Sequence, residues 1–565
     1  MTKDKIFNWK FCLCCGIFIW FVINLLQGIF TEIHEDEAYY ALYGEHLAWG
    51  YFDHPPMVGL MTFLSSIFFS GTLGVRFFTI IASCLSLFVI WEIADRVSND
   101  SKRYPILFFV VAFSIVMFNI YGFVTTPDAS LILFSALFLL VYQRYLEQKT
   151  WPKTLLMGLF MALMVYSKYH AFLLLGLIVL SNLKLLKDGK FWVACLVALA
   201  LLTPHVFWLI NNDFPSFKYH LAERNEAFKW SYFLEYLPNQ LLVFNPLTFG
   251  VIVYVLFKTR SESIFERGLR FILFGFFFFF WLMTFRGHVE PHWTIVCVIP
   301  IIVLIYSKLL IDKYLKKFIK YFIIPSLFLV LSFRIILLTP IASRFGFCDK
   351  KNYYEAIETA AGNCPVVFQG SFQRPALYHY YTGRPSSSLK CYYDRKTQFD
   401  LWQFDKDWIG EEVFVFGSLS GLSKEYQING ESFPGYLMQH FRSPNRLVIT
   451  LRITNANSES VPVFHHGDTI HADFSIYNPC NASIAFHGED YDMHFNAHYF
   501  PGDEITYCYF DDFLEFPAQS NREGHLFTIV GDHISLGKHR FNLGIGDPIA
   551  SFVTEKSGIE IKIEP

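Results

Sequence analysis

The feature that most constrains this chain is a series of long apolar runs that fills residues 11 to about 340. A helix that crosses a bilayer needs about 20 predominantly apolar residues. Over all 565 residues, 53% are hydrophobic and only 17% are charged, which is too little charge to cover a soluble protein of this size. The sequence therefore predicts a polytopic helical membrane protein with about 11 spans. The predicted spans are 11–30, 73–94, 105–124, 129–146, 154–167, 169–183, 191–210, 239–257, 271–285, 293–310 and 319–339.

The composition of the sequence changes at about residue 341, where polar residues become common. Residues 341–447 mix short strand patterns with a helical pattern, which predicts an α/β region. From 448 to 565, apolar and polar residues alternate, as in Thr469–Asn478, and this period is typical of half-buried antiparallel strands. We therefore predict three parts, a membrane domain over 1–340, a mixed α/β region over 341–447 and a β-rich, sandwich-like domain over 448–565.

Basic residues are unevenly divided between the connections that join the spans. One set of alternate connections carries 21 Lys and Arg residues, and the opposite set carries five. Because basic residues are retained on the cytoplasmic side, the first set is predicted to be cytoplasmic. This division supports two separate spans between 154 and 183, against the alternative of one kinked helix. It places the N-terminus in the cytoplasm and the C-terminal region outside.

The first external connection, 31–72, has no Lys or Arg but is rich in carboxylates and histidines. Clustered acids of this kind indicate a metal, a cationic partner or raised pKa values, and the alternative is a solvated acidic loop. If the chain is helical from Glu35 to His46, helical spacing puts one carboxylate and three phenols on one face. These residues are Asp36, Tyr39, Tyr40 and Tyr43. A carboxylate beside phenols suits a hydroxylated ligand such as a sugar, whereas the tyrosines alone also fit an interfacial aromatic belt.

Three further external turns carry groups that fit the same chemistry. Asp128 follows Pro127 between two spans, where its alternative role is a helix cap. Lys168 interrupts an apolar run, which is costly in a membrane and usually functional. The last turn supplies Arg286, His288 and His292, for which snorkelling and solvent exposure are the alternatives. The four turns together offer carboxylates for base chemistry, cations for phosphate and aromatic rings for a sugar.

Several short motifs resemble the polyprenyl-phosphate-sugar-dependent glycosyltransferases of the GT-C fold, bacterial family 39 type. Relatives of that family include the aminoarabinose transferases and the protein O-mannosyltransferases. The resemblance covers roughly 11–340. The motifs that carry it are Glu35-Asp-Glu37, Tyr51-Phe-Asp-His-Pro-Pro56, Thr126-Pro-Asp128, Ser167-Lys-Tyr169, Pro204-His-Val-Phe-Trp208, Asn245-Pro246 and Val289-Glu-Pro-His-Trp293.

The resemblance implies that Asp36 is the essential acid of the first external loop, with Glu37 beside it and Asp128 as the second acid. His54 departs from the aminoarabinose branch, which has a lysine before the two prolines, and this leaves the phosphate contact and the sugar open. The predicted binding residues for the donor phosphate and substrate are His54, Lys168, Arg286, Tyr39, Tyr40 and Tyr43.

The reaction that follows from the resemblance is inverting transfer of a sugar from a polyprenyl phosphate to a lipid or protein acceptor in the bacterial inner membrane. No cofactor is required, and a divalent metal stays open because His54, His288 and His292 accompany the acids. Nucleic acid is not an expected partner at a net charge of −3, and membrane lipids are. The alternatives are a transporter or lipid flippase, which would place ionisable groups at mid-membrane, and a glycan-binding receptor.

The division of basic residues makes the topology testable. A reporter that is active only in the cytoplasm, fused after Pro565, is expected to be silent because the C-terminal region is external. The same reporter fused to the N-terminus serves as the positive control. A strong signal from the C-terminal fusion would show that the number of spans is even and that the region 154–183 was misassigned.

Overall fold

The computed structural model describes residues 8–565 except 99–102, 219–227, 312–316, 318, 348–349, 390–395, 419–420, 457–460, 489–490, 501, 503, 511, 547–550 and 554–557. The chain divides into two compact units, Met1–Asp349 and Lys350–Pro565. The first unit is helical and the second contains the sheets, so the predicted order of a helical part followed by α/β and β-rich parts is confirmed.

The first unit begins with the helices α1 Trp9–Phe30, α2 Glu35–Glu45, α3 Met57–Phe68, α4 Gly71–Ser98, α5 Pro105–Phe113, α6 Val116–Ile120, α7 Pro127–Glu147 and α8 Trp151–Ser167. It continues with α9 Ala171–Ser181, α10 Gly189–Asn211, α11 Pro215–Lys218, α12 Trp230–Phe244, α13 Pro246–Lys258, α14 Ile264–Met283, α15 Val298–Ile311 and α16 Ile324–Ile336. Shorter 3₁₀ turns lie at Leu183–Lys187, Pro291–Cys297 and Pro340–Phe345, and a π turn lies at Ile319–Ile323.

Within the described residues, five helical stretches are long and apolar enough to cross a membrane. They are α1, α4, α7, α10 and the stretch Pro291–Leu309. The region predicted as a span over 239–257 is broken, because α12 and α13 meet at 101°, so it forms either a broken span or a re-entrant loop. Asn245, whose φ is +73°, and Pro246 end the first helix there and start the second. The total of 11 spans stays a prediction.

Two contacts of α7 show how α8 and α9 run. Lys168, at the end of α8, contacts Asp128 in the first turn of α7. Asn182, just after α9, donates to the hydroxyl of Tyr142, fourteen residues further along α7. The chain therefore runs in opposite directions along α8 and α9, which are two separate helices rather than one kinked helix. That each of them crosses the membrane stays a prediction.

The α/β part of the second unit consists of α17 Lys351–Ala361, α18 Gln373–Thr382, α19 Gln398–Trp402 and a five-stranded sheet. Its strands are β1 Val366–Gln369, β2 Ser386–Leu389, β3 Val413–Phe416, β4 Lys424–Ile428 and β5 Glu431–Met438. The strand order is β2-β1-β3-β5-β4. The pairs of β1 with β2 and β3 are parallel, and β5 is antiparallel to both of its neighbours.

The β-rich part contains β6 Val448–Ile453, β7 Val463–His465, β8 Thr469–Asn478, β9 Ile484–Ala485, β10 His494–Phe500, β11 Glu504–Phe510, β12 Glu515–Phe516, β13 Ser520–Ile529, β14 Gly537–Gly546, β15 Ser551–Val553 and β16 Ile559–Glu564. Nine of these strands form one sheet in the order β6-β8-β13-β11-β10-β14-β16-β7, with β15 on β14, and β9 pairs with β12. The alternation predicted for β8 is confirmed, since Ile470, Ala472, Phe474 and Ile476 are buried in one core. The division at 447/448 stays a prediction.

A buried ion pair ties two segments of the second unit together. Asp405 is fully buried and accepts hydrogen bonds from Arg446 Nε at 2.8 Å, from Arg446 Nη2 and from the Ser443 hydroxyl. Arg446 directly precedes the β-rich strands, whereas Asp405 lies in the α/β part. Because a buried charge without its partner is costly, this pair fixes the start of β6 against the 3₁₀ turn Phe404–Trp408, which follows α19.

This pair predicts the result of one substitution in residues 350–565 expressed alone, which we expect to unfold cooperatively. Arg446→Met leaves the Asp405 carboxylate buried without its cation and should lower the free energy of unfolding by about 3–5 kcal/mol. Arg384→Met is the matched control, because Arg384 and Glu358 form a solvent-exposed pair whose loss should change stability much less. Equal losses in a urea titration of the two variants would contradict a structural role for the buried pair.

Candidate active site

The N-terminal end of α2 is held by a fully buried carboxylate. Glu37 accepts hydrogen bonds from Arg76 of α4, Nε at 2.9 Å and Nη2 at 2.5 Å, and from the backbone N–H of Thr125 at 2.8 Å. Its side chain also accepts from the backbone N–H of His34 at 3.0 Å, which completes a capping box. Every lone pair of this carboxylate therefore has a donor. These contacts favour a positioning role for Glu37 over the predicted catalytic one.

Arg76 is itself saturated and fully buried. Besides Glu37, its guanidinium donates to three backbone carbonyls at the end of α1 and in the connection that follows, those of Gly28, Thr31 and Glu32. A cation in the interior of an apolar unit is tolerated when it is paired and all its N–H groups are used. The Glu37–Arg76 pair thus joins α1, α2, α4 and the turn before α7.

His34 caps α2 and sets the surroundings of Asp36. The Asp36 backbone N–H donates to His34 Nδ1 at 3.2 Å, so this nitrogen acts as a hydrogen-bond acceptor. The approach of Nδ1 to Asp36 Oδ2 at 3.9 Å is then no ion pair. The Asp36 side chain is 40% exposed, in contrast to the buried Glu37 next to it.

The helix predicted from Glu35 to His46 is present as α2, and its three tyrosines pack on one another. Tyr43 donates to Asp53 at 2.7 Å and stacks on Tyr51 with ring centroids 3.8 Å apart. The Tyr40 hydroxyl lies 3.2 Å from His54 Nε2. Tyr39 and Tyr43 are 1% and 0% exposed, which argues against the predicted stacking of a sugar on these two rings.

Tyr40 marks the point at which the separate acidic turns meet. Burial raises the pKa of the Tyr40 phenol well above its usual value, and the nearby carboxylates of Asp36, Asp53 and Asp128 raise it further. The phenol therefore stays protonated and acts as a hydrogen-bond donor. The same interactions place the loop 31–72 and the turn at the start of α7 near each other around the Tyr40 hydroxyl.

Asp128 is buried and paired. Lys168 Nζ lies 2.9 Å and 2.7 Å from the two carboxylate oxygens, and His292 Nε2 lies 3.8 Å from one of them. The His292 ring packs edge-on against Tyr121. Lys168 offers three N–H donors, of which Asp128 takes two, so the predicted phosphate contact of Lys168 depends on the third.

The loop that carries Asp53 and His54 is fastened to neighbouring helices. His205, next to the proline inside α10, has its Nδ1 2.6 Å from the Trp49 carbonyl oxygen and its Nε2 3.0 Å from the Tyr169 hydroxyl. The Ser216 hydroxyl donates to the carbonyl of Tyr51 at 3.1 Å. The loop is therefore positioned by α2, α10 and the turn between α8 and α9.

Only some residues of the predicted turn 286–292 lie near the acids. Asp36, Asp128 and Glu290 all act electrostatically on the Tyr121 hydroxyl, which places Glu290 near the acids. His288 lies 3.8 Å from Glu290 and packs against Tyr232, away from His292. The side chain of Arg286 is exposed, and among the described residues no ion pair joins it to the acids.

The metal hypothesis finds no support in the donor set. His54, His288 and His292 contact three different partners, Tyr40, Glu290 and Asp128. Across the part of the chain that the structure describes, no three His, Cys, Asp or Glu side chains come together in a metal-binding arrangement. A divalent cation therefore has no assembled ligand set here.

Three residues of this site were missing from the predicted set. Arg76 stands alone in an apolar span, which is the signal that could have singled it out. Asp53 belongs to the acidic loop, but only the fold shows that it is buried against Tyr43. His205 lies in one of the motifs, and its distance from Trp49 along the chain hides their contact.

One family model matches part of the chain. Residues 53–208 match the family described as dolichyl-phosphate-mannose-protein mannosyltransferase. The matched segment includes Asp53, His54, Asp128 and Lys168, and Asp36 lies outside it. No curated protein sequence matches the chain.

Two solved structures are similar to the chain over most of its length. ArnT from Cupriavidus metallidurans in the apo state has a TM-score of 0.57 at 12% identity, and the match covers 76% of this chain and 97% of that chain. The same protein bound to undecaprenyl phosphate has a TM-score of 0.56 at 12% identity, with 75% and 97% covered. The predicted resemblance to GT-C glycosyltransferases and the GT-C fold class are confirmed.

The buried Asp128–Lys168 pair predicts non-additive effects on stability. Lys168→Met and Asp128→Asn each leave one buried group without its partner and should cost about 3–5 kcal/mol. The double variant should cost less than the sum of the two, with a coupling of about 1–3 kcal/mol. Thermal unfolding of the full-length protein in detergent measures the changes.

Lys149→Met provides the control for that measurement. Lys149 is 51% exposed and pairs with Asp188, so its loss should lower stability by below about 1 kcal/mol. Additive effects of Asp128→Asn and Lys168→Met would show that the two groups do not depend on each other.

Proposed function

We propose that this protein transfers a sugar from a polyprenyl-phosphate donor to a cell-envelope acceptor, with Asp36 as general base. The observation that carries the proposal is that three of the four carboxylates have buried partners, whereas the fourth is exposed to solvent. Glu37 is saturated by Arg76, Asp53 accepts from Tyr43, and Asp128 is held by Lys168. Asp36 is the acid of this group whose side chain is substantially exposed to solvent.

The family match and the fold support this class of reaction. The matched family is described as dolichyl-phosphate-mannose-protein mannosyltransferase, and one of the two similar structures holds undecaprenyl phosphate. A lipid-linked donor also suits a site at the ends of membrane helices, where the phosphate reaches the surface while the chain stays in the bilayer. We therefore propose a polyprenyl phosphate sugar as donor.

The reaction follows from general acid–base chemistry. Asp36 accepts the proton of an acceptor hydroxyl, and the oxygen forms a bond to the anomeric carbon from the face opposite the phosphate. The bond between that carbon and the phosphate oxygen breaks through an oxocarbenium-like state, and the lipid phosphate leaves with the electron pair. The configuration at the anomeric carbon is inverted.

The leaving phosphate needs positive charge or hydrogen-bond donors near it. Lys168 offers its third N–H, and the ring of His54, next to the Tyr40 hydroxyl, can offer a further N–H donor. Arg286 is exposed at the same end of the helices and is the candidate for a contact made only when the donor is bound. No metal is required by this scheme.

Location and acceptor complete the proposal. The protein would act at the outer face of the bacterial inner membrane, with its N-terminus in the cytoplasm and residues 350–565 outside. The acceptor would be a glycolipid such as lipid A or a protein. A transporter is disfavoured, since the ion pairs of Glu37 and Asp128 lie at helix ends rather than along a path through the middle of the helices.

The role of Asp36 is tested by Asp36→Asn, which keeps the size of the side chain but removes the proton acceptor. Turnover with a polyprenyl-phosphate sugar should fall by about 10²–10⁴-fold. Donor binding should stay within a few-fold, because Asp36 is not assigned to the phosphate. Radiolabel transfer to extracted envelope acceptors measures turnover, and a donor titration measures binding.

Glu35→Gln is the matched control, because it removes a carboxylate from the same turn of α2 and should leave turnover near that of the unmodified protein. A folded Asp36→Asn protein with normal turnover would remove Asp36 as the base. Absence of transfer by the unmodified protein to any envelope fraction would contradict the proposed function itself.

A further inference from the structure

A cavity lies at the opposite end of α7 from Asp128. It measures about 410 Å³ and is formed where α9 ends and α14 begins. Six of the residues that line it are Leu180, Leu183, Lys184, Ile264, Arg267 and Phe271. Asn182, also in its wall, is fixed by its bond to Tyr142. Tyr142 follows Asp128 by fourteen residues of helix, which corresponds to about 21 Å.

The cavity is positively charged. Lys184 and Arg267 are its ionisable lining residues, and it has no carboxylate. The acids closest to it along the chain are already paired. Glu262 and Glu266 both contact Lys308, at 2.5 Å and 3.2 Å, and Asp188 contacts Lys149 at 2.5 Å. Among the described residues, no carboxylate forms an ion pair with Lys184 or Arg267, so this charge is available to an anion.

The rim of the cavity is apolar and open to the surroundings. Leu180 and Leu183 are each 60% exposed, and Phe271 is 40% exposed. In a membrane protein such side chains at helix ends face lipid chains. A site that combines two cations with an exposed apolar rim therefore matches an amphiphile with an anionic head, and a soluble anion would leave the rim uncovered.

We propose that this cavity binds the head group of an anionic glycerophospholipid. The phosphate would lie between Lys184 and Arg267, within reach of the Asn182 amide, and the acyl chains would follow Leu180, Leu183 and Phe271. The positive-inside division assigns this end of the helices to the cytoplasmic leaflet. The lipid site is separate from the acids and does not depend on the proposed sugar transfer.

Native mass spectrometry of the full-length, delipidated protein tests this site. Dioleoyl-phosphatidylglycerol should bind as one retained lipid, and dioleoyl-phosphatidylcholine should not be retained at the same concentration. The double variant Lys184→Ala/Arg267→Ala should weaken phosphatidylglycerol binding about 25-fold, because each basic residue near an anionic lipid contributes about fivefold. Inorganic phosphate should not compete.

Two control variants separate the loss of charge inside the cavity from other effects of substitution. Lys187→Ala removes an exposed cation of the same 3₁₀ turn outside the cavity and should retain the lipid. Lys184→Arg/Arg267→Lys preserves both charges and should bind phosphatidylglycerol, which separates lost charge from a folding defect. Equal retention of the two lipids, equal loss in Lys187→Ala, or full competition by phosphate would overturn the proposal, the last outcome indicating a soluble anion site.

Discussion

The packing of the first unit around α2 depends on the buried ion pair between Glu37 and Arg76. Two opposite charges taken out of water lose several kcal/mol of hydration each, and their attraction offsets this only when the remaining hydrogen-bonding positions are filled. Here they are filled by the backbone of His34 and Thr125 and by carbonyls that follow α1. Such a network tolerates few alternative arrangements, so it sets the position of α2 and, with it, the direction of the neighbouring Asp36.

The environment separates the acids of the site into different roles. Two carboxylates of similar intrinsic acidity behave differently when one is paired in the interior and the other meets solvent. Asp128 is buried against Lys168, whereas the Asp36 side chain is 40% exposed and lies next to His34. A carboxylate with a structural role, such as Asp128, can therefore lie in the same site as Asp36, the carboxylate proposed as the general base.

Secondary structure could be predicted from the sequence where apolar residues recur with a regular period. Contacts between side chains that are far apart in the sequence could not. Apolar runs and the alternation in Thr469–Asn478 predicted the helical part and the β-rich part, because burial follows those periods. The acidic turns were predicted to meet because they share one side of the membrane. Which of Asp36 and Glu37 points inward is decided by Arg76, 39 residues beyond Glu37 in another helix, and no local pattern reveals that contact.

The most direct test of this account is a structure of the full-length protein in a lipid bilayer with a non-transferable polyprenyl-phosphate sugar bound. We expect the phosphate and sugar at the end of the helices that carries Tyr40 and His54, with the Asp36 carboxylate on the face of the anomeric carbon opposite the phosphate. The Glu37–Arg76 pair should be intact in that complex. A donor bound elsewhere, or an anomeric carbon faced by Asp128 with Asp36 turned away, would contradict the account.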